Sequence, residues 1–280
     1  MSTAVDGPLA APAGPDRPGD PGRADGPVFE ARGVDVEVGA GAATRRILRD
    51  VAFDVRDREL VSIMGRSGTG KTTLLKVLGG LRDAAPHSVV RASGVPVDGP
   101  PEGVIFLFQD YAASLLPWRT IERNVSLGLE GRLERPQVEQ RVTEALDMVG
   151  LADRRRDYPW ELSGGMQQRV QLARSLAMRA SVLLMDEPFG SLDAMTKATL
   201  QDELLQVHRD LGATIVFVTH DIDEAIYLSD RILILEGGPA TIARSIPVDL
   251  PRPRDQLATK ELPEFLALRR TVYEAIVGDA

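Results

Sequence analysis

The stretch 60-LVSIMGRSGTGKTTLLKVLGG-80 decides the fold class, because it joins an apolar run, a glycine-rich loop and a helical run in that order. Its central part, 65-GRSGTGKT-72, matches the phosphate-loop pattern GxxxxGK[ST] in full. Glycines let backbone N–H groups approach phosphate closely, and the start of the following helix adds positive potential. The stretch therefore predicts a strand–loop–helix unit of an α/β protein that binds nucleotide phosphates. The predicted contacts are Gly65, Arg66, Ser67, Gly68, Thr69, Gly70, Lys71, Thr72 and Thr73.

Lys71 and Thr72 carry the chemistry of this loop. A lysine at this position reaches the β- and γ-phosphates of a nucleotide, and the threonine hydroxyl binds Mg²⁺. Only four of the 33 basic residues are lysines, so a lysine here departs from the arginine preference of the chain. The alternative interpretation is a glycine-rich turn that happens to precede a helix, and the full motif with its flanks disfavours it.

Composition limits the possible partners and compartments. The formal net charge of -8 leaves no basic excess to neutralise phosphates in bulk, so we expect no nucleic-acid partner. The apolar runs are far shorter than the about 20 residues of a membrane helix, so we expect no membrane span. No secretory signal pattern opens the sequence, and the absence of cysteine excludes disulfides and thiolate metal sites. These features predict a cytosolic chain.

The chain divides into three predicted regions. Residues 1–27 are dense in Pro, Gly, Ala and Asp, which predicts a disordered tail. From 28 to 245, β-rich runs alternate with helical patterns, which is typical of a mostly parallel sheet flanked by helices. Within this domain we expect a helical subdomain at about 111–180. Residues 246–280 form a C-terminal extension that ends in a helix predicted from 264-EFLALRRTVYEAIV-277.

Three further apolar runs end in polar residues that suit nucleotide chemistry: Gln109, the pair Asp186 and Glu187, and His220. Ligands gather at the carboxyl ends of strands in an open parallel sheet. We expect Asp186 to serve Mg²⁺, Glu187 to activate the attacking water, and Gln109 to meet both. Each residue alone has an ordinary alternative, such as a solvated strand end or a hydrogen-bonded edge histidine. Their combination with the phosphate loop favours the functional interpretation.

A second candidate anion site lies in 162-LSGGMQQRVQLARSLA-177. Ser163, Gly164 and Gly165 open a predicted helix whose exposed backbone N–H groups can bind an anion. Because the phosphate loop already provides one such helix start, a second phosphate-binding site is redundant within a single chain.

Taken together and in this order, the motifs resemble those of the nucleotide-binding subunit of ABC transporters: 65-GRSGTGKTT-73, Gln109, 162-LSGGMQQR-169, 182-VLLMDEP-188, 191-SLD-193 and 219-TH-220. The resemblance implies an ABC-type P-loop NTPase, with a mostly parallel core sheet, an N-terminal antiparallel β subdomain and the inserted helical subdomain. It also implies a head-to-tail homodimer in which each ATP lies between one chain's phosphate loop and the other chain's LSGG helix.

The resemblance further implies a role for each candidate residue. Lys71 and the loop amides hold the ATP phosphates, while Mg²⁺ is surrounded by Thr72, Gln109 and Asp186. Glu187 is the implied catalytic base and His220 the implied γ-phosphate sensor. The residues implied to face the partner chain and its ATP are Ser163, Gly164, Gly165 and Asp193.

Local sequence is similar to the ATPases of nitrate, sulfonate and taurine importers, notably in 106-FLFQDYAASLLPWRTIERNV-125 and 248-VDLPRPRD-255. This similarity implies a separate integral-membrane permease, a solute-binding protein as an indirect partner, and a peripheral position on the cytoplasmic face of the cell membrane. The apolar 115-LLPWRT-120 suits docking of a permease helix, although Leu116 and Trp118 could instead cap the core of the helical subdomain. The alternatives are a soluble ABC ATPase that acts on nucleic acid and a signalling ATPase associated with a membrane partner.

One departure from the family pattern concerns the adenine base. The family usually stacks an aromatic ring on adenine from the region before the phosphate loop, yet 34-VDVEVGAGAATRRI-47 contains none. Either Val36 or Val38 packs on the base with less area, or selectivity for adenine is relaxed. We therefore expect modest discrimination between ATP and GTP.

Overall fold

The structure is a computed structural model that describes residues 26–39, 44–190 and 192–278. The predicted tail lies outside the described residues, apart from Gly26 and Pro27. So do residues 40–43, in the region searched for an aromatic ring, and Ser191 of the predicted 191-SLD-193 motif.

A single sheet of ten strands organises the described part of the chain. The strands are β1 (Phe29–Val38), β2 (Arg45–Val55), β3 (Leu60–Met64), β4 (Val89–Ala92), β5 (Val95–Pro96), β6 (Val104–Leu107), β7 (Val182–Asp186), β8 (Thr214–Val218), β9 (Arg231–Gly237) and β10 (Ala240–Pro247). Their order is β5-β4-β1-β2-β10-β9-β3-β8-β7-β6. The five strands from β9 to β6 are mutually parallel, which confirms the mostly parallel core.

The N-terminal strands form the antiparallel part of the same sheet. β1 pairs antiparallel with both β2 and β4, and β4 pairs antiparallel with β5. The strand β10 joins the two parts, since it pairs antiparallel with β9 and parallel with β2. The predicted antiparallel subdomain is thus an extension of the core sheet. The predicted domain end at 245 falls inside β10.

The central strands are apolar because both of their faces are covered. In β7, Leu183 and Met185 belong to one hydrophobic core, whereas Val182 and Leu184 belong to the other. This alternation follows the two-residue period of a strand. Every residue of β3, β7 and β8 is buried, so the side chains that follow these strands are the first to reach solvent.

Eight α-helices flank the sheet in the described residues: α1 (Lys71–Leu78), α2 (Tyr111–Ser114), α3 (Ile121–Val125), α4 (Arg135–Met148), α5 (Gly164–Ala177), α6 (Ala194–Leu211), α7 (Ile222–Leu228) and α8 (Pro263–Val277). The chain between β6 and β7 is helical, as expected for an inserted helical subdomain. None of the helices in the described ranges is long and apolar enough to cross a membrane.

The helical subdomain is tied together by the half-buried Arg174 and the buried Asn124. Arg174 of α5 donates to the carbonyl oxygens of Ser114 and Asn124 and to the side-chain oxygen of Asn124. The Asn124 amide in turn donates to three carbonyls of the segment that leads into α3, among them that of Leu116. Burial lowers the pKa of Arg174, but each of its three guanidinium nitrogens donates to an oxygen. This network fixes the start of the subdomain to α5.

Candidate active site

Four strand ends meet at one edge of the sheet. β3, β8, β7 and β6 are consecutive and parallel, so their carboxyl ends lie side by side. β3 leads into the phosphate loop, and β8 leads to His220. β7 ends at Asp186 and is followed by Glu187, while Gln109 lies just past β6. The sheet topology thus brings the predicted strand-end residues into one region.

The phosphate loop has a backbone that requires glycine. Gly65, Gly68 and Gly70 all have positive φ, and a Cβ on Gly65 would lie 2.3 Å from the carbonyl oxygen of Leu235. Gly70 is the N-cap of α1 and offers no side chain to the first-turn N–H groups. Those N–H groups have no intrahelical acceptor and point to where an anion binds.

Lys71 is folded back over the loop. Its Nζ donates to the carbonyl oxygens of Gly65 at 2.9 Å and Arg66 at 3.0 Å. Burial lowers the pKa of Lys71, while the carboxylates of Glu187 and Asp186 act in the opposite direction. The Lys71 ammonium can exchange these carbonyl oxygens for phosphate oxygens through side-chain movement alone, without a change in the backbone.

Thr72 and Asp186 form a pair of oxygen donors that fits a divalent cation. The Thr72 hydroxyl donates to Oδ1 of Asp186 at 2.9 Å. Burial raises the pKa of Asp186, and the hydrogen bond from Thr72 only partly offsets this effect. A cation beside the carboxylate would stabilise its charged form. In the described ranges, no group of three or more His, Asp and Glu side chains could hold a metal. The two oxygens therefore suit an Mg²⁺ ion that phosphates and water also coordinate.

Glu187 is the centre of a second group. Its φ of 46° lies in the left-handed region, and its N–H donates to the carbonyl oxygen of Val218. Oε2 of Glu187 accepts from Nε2 of Gln109 at 3.3 Å and lies 3.4 Å from Nδ1 of His220. Non-glycine residues in this backbone region occur preferentially at functional sites. The structure thus brings together Glu187, Gln109 and His220, and the side-chain bond of Gln109 goes to Glu187 rather than to the Thr72–Asp186 pair.

The second anion site is built around the start of α5. Ser163 is the N-cap, and its hydroxyl accepts from the N–H of Met166. Gly165 is buried against Thr196 of the first turn of α6, and a side chain on Gly165 would place its Cβ 2.4 Å from Cγ2 of Thr196. Asp193 caps that helix by accepting from the N–H groups of Met195 and Thr196. Residues 163–165 and Asp193 therefore lie together at two adjacent helix starts.

The two anion sites are separate in the hydrogen-bond network. Within the described part of the chain, no hydrogen bond or ion pair joins residues 163–165 to the phosphate loop. A closer link runs from α5 to the loop after Glu187, where the side-chain amide of Gln168 donates to the carbonyl oxygen of Pro188.

Lys197 connects α6 to the chain that follows His220, and the motif analysis did not find it. Its Nζ lies 2.6 Å from Oδ2 of Asp221 and 3.0 Å from Oε2 of Glu224, whose side chain is only 3% exposed. The only sequence signal was another lysine in an arginine-rich chain. Through Lys197, the helix capped by Asp193 is fixed to the start of α7.

The expected adenine contact is corrected in part. Val36 is 1% exposed and packs in the hydrophobic core with Leu48, so it cannot lie against a base. Val38, at the end of β1, is 38% exposed and remains available.

The apolar segment 115-LLPWRT-120 is divided between core and surface. Leu115 is buried, but Trp118 is 71% exposed, so Trp118 does not cap the core of the helical subdomain. Two further exposed aromatic residues, Tyr158 and Trp160, stack on each other with ring centroids 4.6 Å apart. A cavity of about 490 Å³ lies where the chain enters the helical subdomain, and its lining includes Phe106 and Phe108.

Comparisons with known proteins agree with this arrangement. A family model described as ABC transporter matches residues 48–190. The chain is 44% identical over 226 residues to the nitrate import ATP-binding protein NrtC of Synechococcus elongatus, which covers 79% of this chain and 34% of that one. It is 42% identical over 236 residues to the aliphatic sulfonates import ATP-binding protein SsuB of Bacillus licheniformis, which covers 84% of this chain and 89% of that one.

A solved structure is also similar. The dimeric post-hydrolysis state of the ATP-binding cassette MJ0796, bound to ADP and Pi, matches with a TM-score of 0.68 and 29% identity. The match covers 79% of this chain and 98% of the cassette. The chain thus spans about a third of the nitrate relative and most of the sulfonate relative. The chain belongs to the ABC transporter family, as one of its ATP-binding ATPases.

Proposed function

We propose that this chain is the ATPase subunit of an importer and couples ATP hydrolysis to transport of a small anionic or organic solute, such as nitrate, a sulfonate or taurine. The observation that carries the proposal is the division of the nucleotide chemistry between two separate sites, one at the phosphate loop and one at the start of α5. The names of the nitrate and sulfonate import relatives support the solute class.

At the first site, the phosphate loop and Lys71 bind the β- and γ-phosphates of ATP. Thr72 and Asp186 hold Mg²⁺, which neutralises charge on the phosphate oxygens. The buried Asp186 carboxylate favours this role, because a cation offsets the burial that raises its pKa. Gln109 bonds to Glu187 through Nε2, so the amide oxygen is the atom that would serve Mg²⁺.

Glu187 accepts the proton of the attacking water as general base. Gln109 and His220 lie against the same Glu187 oxygen, so they orient the carboxylate. His220 also detects the γ-phosphate, because it follows β8 at the edge of the sheet where the phosphate loop lies. The left-handed backbone of Glu187 holds the carboxylate between them.

The second site acts on the nucleotide of the other subunit. In a head-to-tail homodimer, Ser163, Gly164 and Gly165 bind the ATP held by the partner's phosphate loop, and Asp193 lies at the interface. Each chain then contributes half of each site. ATP-driven closure completes both sites, and hydrolysis reopens them. A demonstrably monomeric form that hydrolyses ATP at the full rate would contradict this assignment.

The permease docks near the helical subdomain. Trp118 is exposed, and its segment is fixed to α5 through Asn124 and Arg174, so docking there senses movement of the LSGG helix. The chain then lies peripherally on the cytoplasmic face of the membrane, and a solute-binding protein delivers the solute to the permease.

Co-expression with a candidate permease tests this function. We expect the permease to co-purify with the chain and to stimulate ATP hydrolysis, and stimulation by DNA or RNA instead would overturn the proposal. Trp118→Ala is expected to abolish stimulation while leaving the basal ATPase rate unchanged. Leu257→Ala, a change at another exposed apolar side chain, is the matched control. Full stimulation of the Trp118 variant would overturn docking at this segment.

A further inference from the structure

The end of the C-terminal helix α8 touches the phosphate loop. Nε of Arg66 donates to the carbonyl oxygen of Ile276 at 3.0 Å, and Nη2 donates to that of Val277 at 3.3 Å. The last carbonyls of a helix have no partner within it and carry the negative end of the helix dipole. A guanidinium is therefore a favourable cap at this position, and the side chain of Arg66 ties α8 to the loop that precedes Lys71.

The same helix is tied at a second point to the element that follows His220. Arg269 donates from Nε and Nη2 to the two carboxylate oxygens of Asp223, at 2.6 and 2.7 Å. Asp223 lies in the first turn of α7, three residues after His220. A bidentate pair of this kind fixes orientation as well as distance.

Besides these two contacts, α8 is packed against the hydrophobic core. Phe265 and Val272 are fully buried in the core that α8 shares with α7 and the sheet. Near the end of the helix, Ala275 and Ile276 line a cavity of about 250 Å³ together with Gly65 and Leu235. The phosphate loop thus has space behind it, and the contact through Arg66 spans this space from α8.

We propose that α8 is a strut that sets the position of the phosphate loop relative to His220, with Arg66 and Arg269 as positioning residues for ATP hydrolysis. The proposal rests on the proposed roles of the loop and of His220. Neither arginine contacts the reacting atoms through its side chain. Arg66 restrains the loop that binds ATP, and Arg269 restrains α7, the helix that follows the γ-phosphate sensor His220.

Both ends hold one restraint between the phosphate loop and His220, so breaking either end is expected to have the same kinetic effect. For Arg66→Ala and for Arg269→Ala alike, we expect kcat for ATP hydrolysis to fall by roughly three- to tenfold with a smaller change in KM. If both contacts maintain one strut, the double variant is no worse in kcat/KM than the worse single variant, because either break releases the same restraint.

The experiment is steady-state ATPase kinetics on the full chain with thermal melts of each variant. Arg270→Ala is the control, since Arg270 lies on the same helix with its side chain 84% exposed and, among the described residues, forms an ion pair only with Glu274 of that helix. The charge exchange Arg269→Asp with Asp223→Arg is expected to recover the kcat lost by Arg269→Ala. Recovery supports positioning by this pair, and no recovery overturns it.

If the two single-variant effects on kcat/KM multiply in the double variant, the strut proposal is overturned. It is also overturned if both single variants have wild-type kinetics. Lys71→Ala and Glu187→Gln, measured in the same assay, separate this failure from a failure of the proposed function. If they lose activity while the arginine variants show no coupling, only the strut is wrong. If they keep wild-type turnover, the proposed site is wrong and the strut falls with it.

Discussion

Replacing Glu187 with glutamine separates proton transfer from every other role of this side chain. Glutamine has the same length, and its amide oxygen can still accept the hydrogen bond that Gln109 donates at 3.3 Å. The left-handed backbone at 187 imposes a similar strain on both residues. The variant therefore keeps the fold and the binding groups but has no base to take the proton of the attacking water.

The expected effect has two parts. Loss of a positioned general base lowers kcat by about 10²- to 10⁴-fold, which raises the activation barrier by about 2.7–5.5 kcal/mol. The substitution also removes a negative charge next to the site proposed for the ATP phosphates. Because repulsion of the anionic nucleotide falls, the affinity for ATP is expected to rise. Slow turnover with tighter binding causes the ATP-bound dimer to accumulate.

The assay combines phosphate release with size-exclusion chromatography and light scattering, with and without ATP and Mg²⁺. Glu187→Gln should show a dimer that depends on ATP and persists, whereas the wild type returns to its starting state as ATP is consumed. Glu102→Gln, in the exposed turn before β6, makes the same chemical change away from the site and should behave as wild type. Wild-type turnover in Glu187→Gln would refute the assignment of the base.

Three further predictions follow from other contacts. Lys197→Met leaves Asp221 and the buried Glu224 without their shared cation, so urea denaturation should show a loss of about 3 kcal/mol in the free energy of unfolding. Lys197→Arg should recover most of this loss. A loss below about 1 kcal/mol for Lys197→Met would contradict the argument. Burial lowers the pKa of His208, so the unfolded chain binds a proton that the folded chain does not, and the free energy of unfolding should fall as the pH drops below about 6.5. Denaturation at pH 7.5 and 5.5 should show a smaller fall for His208→Gln than for the wild type, and an equal fall would assign the effect elsewhere. Since only Val38 of the two valine candidates is exposed, and a valine offers less area to a base than an aromatic ring, kcat/KM for ATP and GTP should differ by less than about tenfold; a strong preference for ATP would count against this.

The sequence was sufficient for those parts of the fold that depend on local pattern. The apolar runs that end at the phosphate loop and before His220 became fully buried parallel strands, because such strands need uninterrupted apolar residues. The run before Gln109 also became a parallel strand, but most of its residues are only partly buried. The helical period also placed Phe265 and Val272 on the buried face of α8. The motif order identified the family, since its chemistry fixes residue types at fixed positions.

Side-chain partners were beyond the sequence. Val36 was a candidate for adenine because it lies in the region before the phosphate loop that has no aromatic ring, and the sequence alone did not show that its side chain faces the core. Position at a strand end did not determine that Gln109 would bond to Glu187, since that depends on a rotamer. The contact from Arg66 to the end of α8 spans 210 residues and leaves no periodic trace in the sequence.

The left-handed backbone of Glu187 places thermal stability and enzymatic activity in opposition at one position. A non-glycine residue in this conformation costs about 1 kcal/mol or more, and glycine would avoid that cost. Directed evolution for heat resistance alone is therefore expected to enrich Glu187→Gly, with a gain in melting temperature and a loss of turnover. The backbone strain at residue 187 is thus a measure of the stability that this enzyme gives up for its reaction.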